Sequence, residues 1–265
     1  MTESTFPSKL GDYSIVKTED GHETLKSHYF DEACHSTSGA WEETKHNYFD
    51  GCEILEKYSN QENTHLTIFE VGFALGYGPL ICFSELLKSE IQKPVIFVSS
   101  ELDTDFIKWT LNESRLAEFL KERNAEIQDR EKYVYVSFMH FKLYILKGDL
   151  RHSVNELRHL LNHPIDAIFH DPFSPRKNPK LWTKQWFLQI KKYCQRDVIL
   201  STYSSAVSFR KALIETGFHI RSTKGFGRKR TITQASLNEE FGDQEIMNEI
   251  KRSKAIAFND LQIGE

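Results

Sequence analysis

Apolar positions follow two rhythms along this chain. From His65 onward, short and nearly continuous apolar runs recur at 66–72 (LTIFEVG), 94–100 (PVIFVSS), 142–148 (KLYILKG), 165–171 (IDAIFHD) and 197–203 (DVILSTY). Runs of this length bounded by turn signals suit strands buried on both faces. The stretches between and after them, 79–90, 104–126, 150–162, 180–194 and 205–216, have helical character. Strands alternating with helices predict a parallel sheet covered on both sides, because each crossover must return over the sheet. Beyond the last helix, 218–225 and 230–236 are two β-leaning pieces joined through Gly225, Phe226 and Gly227, which suits an antiparallel hairpin at a sheet edge. The expectation is an α/β fold with a mostly parallel, seven-stranded sheet and a C-terminal antiparallel hairpin.

Residues 1–62 lack long apolar runs and alternate polar with aromatic residues around Gly11, Gly21, Gly39 and Gly51, the pattern of a small N-terminal lobe. The main domain is expected over 63–237, and 238–265 forms a charged, partly helical tail. A chain of 265 residues with 39% hydrophobic content supports one good-sized core and a small accessory lobe. Its formal net charge of -4 excludes a globally basic nucleic-acid coat, though not a local basic face. Cys34, Cys52, Cys82 and Cys194 lie far apart and read as reduced thiols, and the eleven histidines show no ligand spacing, so no metal is expected. No run approaches the roughly 18 apolar residues of a membrane span, and the first residues lack signal-peptide order, so a soluble, cytoplasmic protein is expected.

Ligands of open α/β sheets bind outside the carboxyl ends of the strands, and four of the five predicted strands end in glycine or acidic residues. The first ends Glu70-Val71-Gly72-Phe73-Ala74-Leu75-Gly76-Tyr77-Gly78, where glycines let a ligand approach the backbone and a helix N-terminus follows. The second places Glu101 where its carboxylate can accept hydrogen bonds from both hydroxyls of a ribose, although a solvated acid is the plainer account of such a residue. The third ends Gly148-Asp149-Leu150: Asp149 can accept a bond from an adenine amino group with Leu150 against the ring, or simply cap the helix that follows. The fourth ends His170-Asp171-Pro172-Phe173-Ser174-Pro175. A dinucleotide oxidoreductase is a rival explanation of the first turn, but this acidic-Pro-aromatic segment is the kind held by methyltransferases acting on exocyclic amines. Methyl transfer needs an unprotonated, aligned nitrogen, and an alkylamine with a pKa of about 10 is mostly ammonium at neutral pH. A carboxylate that orients the amine and receives its proton answers both needs, and Asp171 is the candidate; its plainer role is to cap a proline-rich turn.

These residues resemble those of the methyltransferase half of the bacterial bifunctional tRNA-modifying protein MnmC, which is also found as a stand-alone domain. The resemblance runs from Phe30-Asp31-Glu32 and Glu43-Thr44-Lys45-His46 through the Glu70 turn, Glu101 and Gly148-Asp149. It continues over 166–187 (DAIFHDPFSPRKNPKLWTKQWF) and Thr202-Tyr203-Ser204 to the segment 225–230 (GFGRKR). It implies a Rossmann-like class I methyltransferase that uses S-adenosyl-L-methionine to methylate the aminomethyl group on the wobble uridine of certain tRNAs. Its donor-binding positions then fall on Glu70, Gly72, Gly76, Glu101 and Asp149, with Phe73 and Leu150 expected beside them in the donor site, and its catalytic aspartate falls on Asp171. The FAD-dependent oxidase half of that family is absent from these residues, so any oxidation falls to a separate partner. The family's first motif has the form E-x-G-F-G-T-G-L-N, whereas this chain has Ala74 at a glycine position; if that position requires positive φ, alanine costs about 1 kcal/mol there.

For an anticodon loop, the wobble base has only to be turned out into a pocket. Phe173, Trp182 and Tyr203 are expected to stack on it, and Arg228, Lys229 and Arg230 to contact RNA phosphates. Trp182 and Trp186 also fit a buried helix stripe, and Lys191 and Lys192 a solvated helix face. In the N-terminal lobe, His28, Tyr29, Asp31, Glu43 and Lys45 are placed to close over the cleft, while Trp41 and Tyr48 are expected to pack. Two other readings stay open: an N-methyltransferase with a different amine acceptor, and a donor-deficient RNA-binding relative of the fold.

Overall fold

The structure is a computed structural model and describes residues 5–227 and 231–262. The chain begins with a four-stranded antiparallel sheet, β1 (Thr5–Phe6), β2 (Tyr13–Lys17), β3 (Glu23–Ser27) and β4 (Glu32–Ala33). Helix α1 (Ala40–Thr44), a π-helical segment (Lys45–Asp50) and α2 (Ile54–Ser59) lead into the main fold. There β5 (Leu66–Val71), α3 (Tyr77–Leu86), β6 (Val95–Glu101), α4 (Thr104–Glu113) and α5 (Arg115–Glu122) follow one another. Next come β7 (Glu126–Asp129), β8 (Tyr133–Phe138), β9 (Phe141–Lys147), α6 (Leu150–Ser153), α7 (Leu157–Leu160) and β10 (Ile165–His170). The chain closes with α8 (Lys184–Lys191), β11 (Cys194–Thr202), α9 (Val207–Glu215), β12 (His219–Lys224), β13 (Thr231–Ser236) and α10 (Gln244–Arg252).

The large sheet has nine strands in the order β12-β13-β11-β10-β5-β6-β9-β8-β7. Its centre, β11-β10-β5-β6-β9, is parallel, and both flanks are antiparallel. The fold is thus Rossmann-like and α/β with a mixed sheet, and among the described residues the sheet has nine strands where seven were expected. The two additional strands, β7 and β8, fall where the sequence was left unassigned. Their signal was period two: β8 reads Tyr-Val-Tyr-Val-Ser-Phe and buries every second residue. By contrast β5 and β10 are buried at every position, as central parallel strands require.

The single helix expected over 104–126 is two helices. Ser114 has extended backbone torsions, and its hydroxyl accepts from the N–H groups of Leu116 and Ala117, which caps α5 and ends α4. The N-terminal sheet shares the core of the main fold: Tyr13 and Leu25 belong to the same buried cluster as Tyr77 and Phe106. Tyr13 packs its ring on Phe106 and donates its hydroxyl to Asp103, and Tyr77 donates to the Glu23 carbonyl. At the other end, α10 covers the outer hairpin, with Met247 and Ile250 buried in the cluster that holds Ile220 and Ala235. All four cysteines are free thiols. Among the described residues, no helix is long and apolar enough to cross a membrane.

Removing the Ser114 cap between α4 and α5, Ser114→Ala is expected to lower unfolding stability by about 1 kcal/mol in urea titration.

Candidate functional site

Between β5 and β10 the strand order reverses, the place where open α/β sheets hold their ligands. A cavity of about 990 Å³ opens there. Its floor is made by the carboxyl ends of β5, β6, β9 and β10, contributing Gly72, Glu101, Asp149 and Asp171. Its roof is the N-terminal sheet and the α1 region, contributing Phe30, Glu32, Cys34, His35, Glu43 and Tyr48. Of the residues singled out in the sequence, the cavity gathers Gly72, Glu101, Asp149, Leu150, Asp171, Phe173 and Tyr203.

On the floor, Gly72 has φ +100° and a Cβ there would stand 2.7 Å from the Asp171 carbonyl oxygen. No side chain fits. Ala74 does take up the left-handed region, with φ 44°, so the glycine-to-alanine departure carries a strain of about 1 kcal/mol. The turn survives because its hydrogen bonds hold it: the Ala74 N–H donates to Glu101 Oε2 at 3.1 Å and the Ala74 carbonyl accepts from Thr110 at 2.8 Å. Glu101 also accepts from the Asp103 N–H through Oε1 at 3.1 Å. Burial outweighs these donors and pushes its carboxyl up to about 7. Asp149 lines the cavity and caps α6 at once, accepting from the Arg151 N–H at 2.9 Å, so the two accounts of that residue are compatible.

Four of the residues expected to make contacts lie off the cavity lining. Glu70 lies beneath the cavity, buried, accepting from the Ser99 hydroxyl at 2.5 Å and pressed against Gly78, where a Cβ would be 1.8 Å from its Oε1. Burial holds its pKa well above the usual carboxylate range. Phe73 is a core residue, and Gly76 serves packing and helix entry: it has φ +71°, and a Cβ there would meet Leu116 at 2.5 Å. Trp182 is 0% exposed, its indole N–H donating to the Phe173 carbonyl and its ring edge-on to His170 and Phe209. It supports the cavity wall from behind.

Asp171 accepts a hydrogen bond from the Tyr48 hydroxyl at 2.5 Å. Tyr48 was expected only to pack; nothing local in its sequence marked it, because the contact joins residues 123 positions apart. Phe173 is stacked on Phe30, with ring centroids 4.3 Å apart, and Tyr203 donates to the Pro172 carbonyl at 3.0 Å. Glu32 grips the same segment, taking the Ser174 N–H at 3.0 Å and its hydroxyl at 2.6 Å. Of the residues expected to close over the cleft, Tyr29 and Glu43 line it. His28 instead bonds Ser14, Asp31 pairs with Lys26 and Lys177, and Lys45 pairs with Asp50.

The basic residues divide similarly. Lys177 and Lys180 line the cavity, while Lys184 pairs with Glu215, Lys191 bonds the Thr216 carbonyl and Arg221 pairs with Glu53. Arg228, Lys229 and Arg230 lie outside the described residues.

Residues 112–238 match a family model described as an S-adenosyl-L-methionine-dependent methyltransferase. An uncharacterized protein of Methanocaldococcus jannaschii is 28% identical over 245 residues, which cover 90% of this chain and 63% of that protein. The tRNA 5-methylaminomethyl-2-thiouridine biosynthesis bifunctional protein MnmC of Leptospira interrogans is 31% identical over 228 residues, 82% of this chain and 34% of that protein. The chain thus spans about a third of that bifunctional relative. The crystal structure of MNMC2 from Aquifex aeolicus superposes with a TM-score of 0.74 at 28% identity, covering 98% of this chain and 83% of that one. The chain therefore carries an S-adenosyl-L-methionine-dependent methyltransferase domain related, at moderate identity, to the MnmC proteins.

A carboxyl whose pKa is raised from 4.5 to about 7 on folding binds its proton more tightly in the native state. Stability contributed by that proton is present below pH 4.5 and is lost as pH rises through about 7. Relative to Glu101→Gln, the wild type should therefore lose unfolding stability between pH 5 and pH 8, measured by urea titration at both values. Parallel curves for the two proteins would show that Glu101 titrates normally.

Proposed function

We propose that this chain transfers a methyl group from S-adenosyl-L-methionine to the amine of an aminomethyl group on a tRNA wobble uridine. The observation that carries the reading is the meeting of Asp171 with Glu101 and Asp149 in one cavity, with the three carboxylates on neighbouring strand ends. The residues fit the donor. Gly72 leaves the backbone bare, Glu101 keeps acceptor capacity on both oxygens for ribose hydroxyls, and Asp149 with Leu150 suits an adenine edge and face. When bound, S-adenosyl-L-methionine supplies an electrophilic methyl group on a sulfonium, whose S–C electron pair returns to sulfur as the N–C bond forms.

The acceptor's nitrogen must offer its lone pair, and Asp171 receives the proton that the amine gives up. Phe30 and Phe173 form an apolar wall suited to a base, with Tyr203 behind Pro172. Lys177 and Lys180 put positive charge in the cavity wall where an RNA phosphate can approach. Arg228, Lys229 and Arg230 extend that charge in the sequence. The retained hydrogen bonds of the Ala74 turn weigh against a fold that has lost its donor.

Calorimetric titration with S-adenosyl-L-methionine should show micromolar binding that Asp149→Ala weakens and Gly72→Ala abolishes. With labelled donor and aminomethyl-bearing tRNA, the wild type should transfer methyl and Asp171→Asn should lose about 100-fold or more in kcat. Donor binding with transfer only to small amines would replace the tRNA by another acceptor. No heat of binding at two temperatures would remove the methyltransferase reading for this chain.

A further inference from the structure

Tyr48 sits on the π-helical segment Lys45–Asp50, a geometry that is rare and concentrated at functional sites. The segment is held against the sheet from several directions. The Asn47 carbonyl accepts from the Ser201 hydroxyl, the Gly51 carbonyl accepts from the Gln234 amide at 2.5 Å, and the Cys52 thiol lies against the Ile168 and Ile199 carbonyls. Gly51 has no room for a side chain, since a Cβ would stand 2.7 Å from the Ser201 hydroxyl oxygen. The arrangement has a cost: the Asn47 side-chain amide is fully buried, and neither its nitrogen nor its oxygen has a partner among the described residues. What this strained and clamped segment delivers is one phenol, stacked on Phe169 with 5.6 Å between centroids, whose hydroxyl reaches Asp171 Oδ1.

We propose that Tyr48 is a positioning residue for methyl transfer, fixing the Asp171 carboxylate in one orientation and stabilising its ionised form by hydrogen-bond donation. The proposal rests on the reading of Asp171 as the group that orients the amine and takes its proton. Among the described residues, Cys34, Glu70 and Tyr203 stand close enough to Asp171 for its charge to raise their pKa values, and Glu32, Glu43, Lys177 and Lys180 line the same cavity. A protonated Asp171 cannot accept the amine's proton, and a hydroxyl donating to the carboxylate favours its ionised form. Burial and the neighbouring carboxylates hold the Tyr48 phenol pKa well above its usual value, so it remains a donor at any working pH. Tyr48 is therefore not the base, and its effect passes through Asp171.

Tyr48→Phe keeps the ring and its stacking and removes only the hydroxyl. The variant should unfold within a few degrees of the wild type and bind S-adenosyl-L-methionine equally well. Its kcat for the aminomethyl-bearing tRNA should fall about ten-fold with KM little changed, and the acid limb of its pH–kcat profile should move up by about one unit. Independently of turnover, the Asp171 carboxyl carbon, assigned by difference from Asp171→Asn in protein labelled at aspartate, should titrate at higher pH in Tyr48→Phe. If the profile and the carboxyl titration superimpose on the wild type while Asp171→Asn is inactive, Tyr48 merely packs and the proposal is overturned, with the role of Asp171 standing. If Asp171→Asn retains full activity, the reading of Asp171 falls, and with it the positioning role for Tyr48 in methyl transfer, whatever the carboxyl titration shows.

Discussion

The site depends on how closely the ends of β5 and β10 run together. The Asp171 N–H donates to the Val71 carbonyl at 3.1 Å, and the Asp171 carbonyl lies so near Gly72 that a Cβ there would be at 2.7 Å. This contact joins the bare-backbone turn at Gly72 and the Asp171 carboxylate, to which the proposed function assigns the acceptor amine. Any side chain at position 72 separates them. The parallel pairing of β5 with β10, both buried along their whole length, is what fixes the approach, and burial of the two central strands is in turn the core of the fold.

Around that contact the protein concentrates carboxylates in a partly dry space. Glu70 and Glu101 are both displaced upward by burial, and Glu32, Glu43 and Asp171 share the acceptor side. Hydrogen-bond donors orient several of these carboxylates. Glu101 is given two backbone N–H groups, Glu32 a backbone N–H and a hydroxyl, and Asp171 a phenol. Lysines, by contrast, enter the cavity wall at Lys177 and Lys180. An acidic interior beside lysines suits a ligand that is cationic at its reacting end and anionic along its backbone, as an amine carried on a nucleic acid is.

The N-terminal sheet completes the cavity because it shares the core and does not stand apart as a lobe. Tyr13 is tied to Asp103 beside the donor corner, and Glu32 to Ser174 beside the acceptor segment, so one small sheet bridges both halves of the cavity. The C-terminal residues do comparable work on the outside, with Asp260 paired to Arg151 and accepting from Thr183, which ties the start of α6 to the start of α8.

Local pattern was enough for the five parallel strands and for placing Gly72, Glu101, Asp149 and Asp171 at strand ends, because burial on both faces forces continuous apolar runs and ligands meet such sheets at one edge; it marked helices between the strands without the break at Ser114. The period-two signal of β8 was present as well and was outweighed by the absence of a long apolar run. Tertiary structure decided the rest. Glu70 and Trp182 had residue types suited to contact, yet they are buried behind the wall, since which side of a strand end or loop a side chain takes depends on what packs against it. Nothing local to Tyr48 or Glu32 pointed to their partners, for Asp171 and Ser174 are more than a hundred residues away in sequence. Sequence determines which groups stand at the ends of strands; only the packing of a distant segment over those ends determines which of them face one another across the cavity.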